Sequence, residues 1–282
     1  MSADAPAENP GRSDPPAERV DSERLPDTSV SDVLRESVGR IAADPRLSLP
    51  FVVAGVVLTA VDWFRARDSV PTTTPDFVGD VTVSVAYHLY PAGLRATGLR
   101  PAALVDLEPA YLVRTLGLEL GAFLAVGVAG WLTLSRAAGA HSHGREADST
   151  PAQAGLSSSE RLASYLGFAV VAHILVRLFA VFDDLGWLAL VGFVAFAVVA
   201  VRLFAAPALV VAGDGVRAAI RKSARRSAGE GATLFGLVLL FGIGAWLLGS
   251  VPVVGALLST GVVAPVHAVA TVVFADETGP RR

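Results

Sequence analysis

Six apolar blocks, each close to the length needed to cross a bilayer, constrain this chain more than anything else in it. A hydrocarbon core of roughly 30 Å takes about 20 helical residues to cross, with about 17 to 25 tolerated. The blocks run over 47–64, 112–134, 162–182, 185–206, 232–248 and 251–274. Backbone N–H and C=O groups in lipid find no water, so such blocks must be helices that satisfy those groups internally. The expected fold is therefore all-α: a polytopic transmembrane helical bundle of about six spans over 44–275, with amphipathic interfacial helices beside it. Composition agrees, since hydrophobic residues make up 52% and charged residues 17% of the chain. A soluble domain carries about 25% charged residues.

The polar ends read differently. Residues 1–28 are rich in Pro, Asp, Glu, Ser and Ala without apolar periodicity; such a tail buries too little apolar surface to offset its ordering entropy and is expected to be disordered. It lacks the basic start and apolar core of a cleavable signal peptide, so the first apolar block serves as the insertion signal. Over 29–43, Val30, Val33, Leu34, Val38 and Ile41 fall at helical spacing, opposite Asp32, Arg35, Glu36 and Arg40. Ser29 and Asp32 have the spacing of a capping box. This amphipathic helix is too polar to span. It lies in the membrane interface or is a solvated helix, and the pattern leaves both open. Residues 276–282 form a short cytoplasmic tail.

Two connections are short: Asp183-Asp184 and Gly249-Ser250 each join an antiparallel hairpin. Ser157 and Glu160 have capping-box spacing before the third block. Pro207 is expected to break or kink the far end of the fourth span, and Pro265 interrupts the sixth. The long connection from Arg65 to Tyr111 carries Pro71, Pro75, Pro91, Pro101 and Pro109. Its Val81, Val83, Val85 and Tyr87 alternate like a half-buried strand. We expect an external loop folded back over the bundle.

Orientation follows from arginine placement. With the N-terminus in the cytoplasm, the inner flanks hold Arg35, Arg40, Arg46, Arg136, Arg145, Arg161, Arg217, Arg221, Lys222, Arg225, Arg226, Arg281 and Arg282. The outer side holds Arg65, Arg67, Arg95 and Arg100. Thirteen against four predicts both termini on the cytoplasmic side of the cell membrane.

Little chemistry is encoded. The absence of cysteine excludes disulfides, thiolate metal sites and a cysteine nucleophile. A net charge of −3 gives no argument for nucleic acid as a partner. No Gly-x-Ser-x-Gly elbow or His-Glu-x-x-His motif is present. His141 and His143 sit in a Ser, Gly and Ala stretch without further ligands. Asp183-Asp184 lacks the acidic residue that would complete a diphosphate-binding motif. No catalytic, cofactor-binding or metal residue is assigned, and no cofactor is expected.

The remaining candidates are polar residues inside spans, which are expensive there and mark packing or function. They are Glu119, His173, Arg177, Arg202 and His267. At 1.5 Å per residue, Glu119 lies about 10 Å and Arg177 about 8 Å inside the outer ends of their helices. Matching depth predicts an ion pair between them. His173 shares a helix face with Arg177, and is either a hydrogen-bonded packing residue or a proton relay, as is His267. Asp62 and Arg114 sit close enough to the interface to snorkel. Gly117 and Gly121 form a GxxxG that serves internal packing or a dimer face. Arg217, Arg221, Lys222, Arg225 and Arg226 surround a narrow apolar stripe. They are candidate contacts for anionic lipid headgroups, a topology signal, or both.

The stretch Arg202-Leu-Phe-Ala-Ala-Pro207-Ala-Leu-Val-Val, continuing through Arg217-Ala-Ala-Ile-Arg-Lys-Ser223, resembles the helix end, linker and final hairpin of uncharacterised six-helix membrane families, particularly haloarchaeal DUF7847-like proteins. The segment from Asp44-Pro45-Arg46 to Pro50 is similar to the start of their first helix. The resemblance implies a polytopic membrane protein and supplies no activity. The expected function is non-enzymatic, a scaffold or envelope-related role with the lipid bilayer as partner. The alternative is a transporter or channel subunit with a polar site near Glu119, His173 and Arg177. Transport predicts a polar cavity reaching those residues; scaffolding predicts that they are sealed.

Overall fold

The structure, a computed structural model, describes residues 29–67, 72–73, 86–95, 97–99, 107–142, 157–179 and 187–279. The polar N-terminal tail, the Val81–Val85 alternation, His143, the Asp183-Asp184 joint and the two C-terminal arginines lie outside the described residues.

Local signals start the helices. The helix α1 (Val30–Ala43) begins at Ser29, whose Oγ accepts from the Asp32 N–H at 3.2 Å and donates to its carboxylate at 2.6 Å. A 3-10 turn, Pro45–Leu47, leads into α2 (Leu49–Arg65). After the long connection comes α3 (Pro109–Ser142), then α4 (Ser158–Phe179). A complete capping box opens α4: the Ser157 N–H donates to Glu160 Oε2 at 2.7 Å, and the Glu160 N–H to Ser157 Oγ at 3.3 Å. The chain continues through α5 (Trp187–Leu203), α6 (Ala206–Val211), α7 (Val216–Arg226) and α8 (Gly231–Gly249). It ends with α9 (Gly255–Leu258), a π-helical turn Ser259–Val263, and α10 (Ala264–Glu277). Two-residue strands, β1 (Thr72–Thr73) and β2 (Gly98–Leu99), pair antiparallel across the long connection.

Six of these segments are long and apolar enough to cross a membrane: Pro45–Arg65, Pro109–Gly139, Ser158–Phe179, Trp187–Val211, Gly231–Gly249 and Gly255–Glu277. The first five are only 22–39% buried inside the protein, whereas the sixth is 72% buried and forms the centre of the bundle. Val113, Trp187 and Leu190 are among the large apolar side chains left exposed on the outer five. A continuous apolar exterior of this kind is what a lipid-facing surface requires. The bundle has two distinguishable ends, a loop end where α2 stops and α3 starts and a basic end carrying α7.

Proline shapes two of the spans. The fourth breaks between Leu203 and Ala206, just before Pro207, which has no N–H to continue the helix. The sixth widens into its π turn immediately before Pro265, whose ring crowds the carbonyl of Gly261. Gly249 stays helical, contrary to its expected place in the joint, and the turn runs over Ser250–Val254 with Val253 at φ 68°. The sixth span therefore starts at Gly255, four residues later than the apolar run suggested. A Cβ at Gly255 would overlap the Gly249 carbonyl, so only glycine closes this hairpin so tightly.

At the basic end, α1 lays one side on the bundle and leaves its polar side exposed, an arrangement that suits an interfacial helix and a solvated one alike. Its apolar face is covered by the protein: Val33 and Ser37 are fully buried, and Val30 sits over Gly236 of α8, where an added Cβ would come within 2.9 Å. Arg40 joins it to α10 through Asp276 at 3.6 Å. By contrast, Gly117 and Gly121 of α3 are exposed and have no neighbour within 4 Å, so their GxxxG does not serve packing within the described chain.

Candidate functional site

The described middle of the long connection enters the bundle rather than lying over it. Tyr87, Leu89 and Tyr90 are 4%, 2% and 4% exposed. The Leu94 N–H donates to Ser259 Oγ at 2.8 Å, and Gly93 presses so closely on Thr260 that a Cβ would overlap its backbone. Non-helical backbone at membrane depth survives only where protein buries it, and here the π turn before Pro265 forms the floor.

The two tyrosines of this segment hold the two histidines singled out in the spans. His267 of α10 is 2% exposed, with Nε2 at 3.0 Å from Tyr87 Oη and its ring stacked on Phe241 at 5.0 Å. His173 of α4 is half-buried, with Nδ1 at 3.3 Å from Tyr90 Oη and Phe123 edge-on. Between them His88 also points inward, its Nδ1 buried without a hydrogen bond.

The expected pair between Glu119 and Arg177 does not form. Glu119 binds Arg65 Nη2 at 3.0 Å and Arg95 Nη1 at 2.5 Å, while Arg177 is exposed at the loop end of α4. Depth counting compared helices alone, whereas one partner is the last residue of α2 and the other comes from the loop. Two guanidinium groups share one carboxylate. Arg65 Nε and Nη1 and Arg95 Nε and Nη2 are buried without hydrogen-bond partners, although the Arg65 side chain is only 4% exposed. Asp62, one turn before Arg65, does not snorkel either: it is 8% exposed and accepts from Thr97 Oγ1 at 2.5 Å. Arg114 is exposed, as a snorkelling residue should be.

At the basic end, α7 is stitched to the break in the fourth span. Ser223 Oγ donates to the Arg202 carbonyl at 2.8 Å and accepts from the Ala205 N–H at 3.2 Å, using the two backbone groups that the break releases. Arg202 is itself exposed and donates through Nη1 to the Ala224 carbonyl at 2.9 Å. Of the five basic residues on α7, Lys222 pairs with Asp214 at 2.8 Å and Arg226 donates to the Ala275 carbonyl at 2.8 Å. Arg217, Arg221 and Arg225 are exposed and, four residues apart, form one row along the helix.

Tyr90, His88, Arg65 and Arg95 were not among the sequence candidates for the spans. A signal was present: Ala86-Tyr-His-Leu-Tyr-Pro-Ala-Gly-Leu94 is too apolar and aromatic for a loop that stays in water.

Six apolar spans, one largely enclosed and five with broadly exposed apolar surfaces, define a multi-pass helical membrane protein. Compared with known proteins, the chain matches no family model, and no curated protein or solved structure is significantly similar to it.

Proposed function

We propose that this chain is a non-enzymatic scaffold of the cell membrane, with both termini in the cytoplasm and its loop end outside. The reading includes kinship with the haloarchaeal DUF7847-like membrane proteins. One observation carries it: three of the polar residues of the spans, Glu119, His173 and His267, are held by the chain's own loop. Tyr87 caps His267, Tyr90 caps His173, and Arg95 reaches Glu119. Groups tied up in this way fix helix positions, which is the work of a rigid membrane module.

A chain without cysteine allows a clean test with a single introduced thiol. In liposomes, the cysteine of His173→Cys is expected to resist a membrane-impermeant maleimide until the protein is unfolded. Reaction in the folded protein overturns the scaffold reading. The second reading, a transporter or channel subunit, has its own support in the unpartnered guanidinium nitrogens of Arg65 and Arg95. Buried donors without partners are costly unless something visits them, and thiol reactivity at position 173 would favour this reading.

A further inference from the structure

At the basic end, between α5 and α8, the surface opens into a cavity of about 480 Å³, within the range of about 300–1,000 Å³ usual for ligand pockets. One wall is a single face of α5, with Val194, Ala197 and Val198, and Phe235 of α8 also lines it. Val194 is 54% and Val198 56% exposed, so the cavity is a groove open to the lipid side rather than a sealed chamber. Its mouth differs in kind from its walls. Arg202, Ser227, Ala228, Gly229 and Gly231 line that end.

An apolar groove alone accepts any hydrocarbon chain. Charge at the mouth selects the headgroup. Arg202 commits only Nη1 to the Ala224 carbonyl, leaving the rest of its guanidinium exposed. The exposed row of Arg217, Arg221 and Arg225 belongs to the helix whose C-cap, Ser227, lines the mouth. Gly231, which also lines it, opens α8 without a side-chain cap, so the first N–H groups of that helix add to the positive character. Glu230 is the acidic residue of this turn and does not line the cavity.

We propose that this groove holds one anionic glycerophospholipid, its hydrocarbon chain along α5 and its phosphate at Arg202. The site requires the six-span bundle but neither the scaffold reading nor the orientation, because α7 and the groove share one end of the bundle whichever way it faces.

The test is native mass spectrometry of the full chain in detergent, with phosphatidylglycerol or phosphatidylcholine added at equal concentration. The wild type is expected to retain one phosphatidylglycerol at least about fivefold over phosphatidylcholine, in line with one basic contact to an anionic headgroup. Arg202→Gln should bring that ratio close to one, and Ala197→Trp, which fills the groove, should abolish retention of the anionic lipid. Val198→Trp, at a position more than half exposed, serves the same purpose if Ala197→Trp does not fold. Glycerol phosphate, a headgroup without a chain, should not compete. Equal retention of both lipids, unchanged retention in the filled-groove variant, or effective competition by glycerol phosphate would each overturn the proposal. All three readings are independent of thiol access to position 173, so this site and the scaffold role can fail separately.

Discussion

Glu119 serves two cations at once, and that makes its carboxylate hard to replace. Glu119→Gln leaves Arg65 and Arg95 facing each other in a partly buried site, and since breaking a fully buried pair costs about 3–5 kcal/mol, the loss here should be at most about that. Arg95→Gln should cost less, since Arg65 still neutralises the carboxylate. The double variant is expected to be less damaged than the sum of the singles, because the two share one interaction. Unfolding in detergent, followed by denaturant titration of all three variants, checks this; strict additivity would mean that the charges act independently. The need for a partner at Glu119 is legible in the sequence, because an unpaired charge in a span is intolerable. The partner's identity is not. Arg177 matches in depth but is exposed and does not reach Glu119, and Arg95 sits in a loop to which helical counting assigns no depth.

Among the elements, those specified by neighbours in sequence are the legible ones. Ser29 with Asp32 and Ser157 with Glu160 announce helix starts within four residues, and Pro207 announces a break by what its own ring lacks. The re-entrant segment is of the opposite kind. Tyr90 meets a histidine 83 residues away and Tyr87 one 180 residues away, contacts that no local pattern encodes. Its docking depends on Gly93, which lets the loop backbone lie on Thr260. Gly93→Ala forces a methyl group into that backbone and, like other overpacked cores, should cost about 1–3 kcal/mol. The loss should be localised: hydrogen exchange is expected to rise over 86–95 and across Ser259–Val263 while α8 keeps its protection. Unaltered exchange in both segments would mean that the loop docks without this contact.

For the whole molecule, the division of charge between the two ends sets the expected orientation. Counted over the sequence flanks of the spans, thirteen basic residues against four favour a cytoplasmic basic end. Val253 is 84% exposed at the loop end, and Ala228 is exposed at the basic end. An impermeant thiol reagent added to intact cells should therefore label Val253→Cys and spare Ala228→Cys; the reverse pattern would invert the molecule. Bundle class and span number are plain in the sequence because hydrocarbon thickness leaves few alternatives. That the sixth span is the enclosed one is not plain: its apolar run looks like the other five, and only its small residues, Ala264, Ala268 and Ala270, hint at crowding.

That central position has a consequence for biosynthesis. The helix α10 leaves the ribosome after every other described helix, yet α1 leans on it and the re-entrant loop is anchored to it through His267 and the turn that precedes it. Tyr87 emerges 180 residues ahead of its partner. Earlier spans can partition into lipid one at a time, but a non-helical backbone cannot enter the membrane before the protein that buries it is in place. The loop is therefore expected to stay undocked, and the first helix unsupported, until α10 is inserted and closes the bundle as a keystone closes an arch.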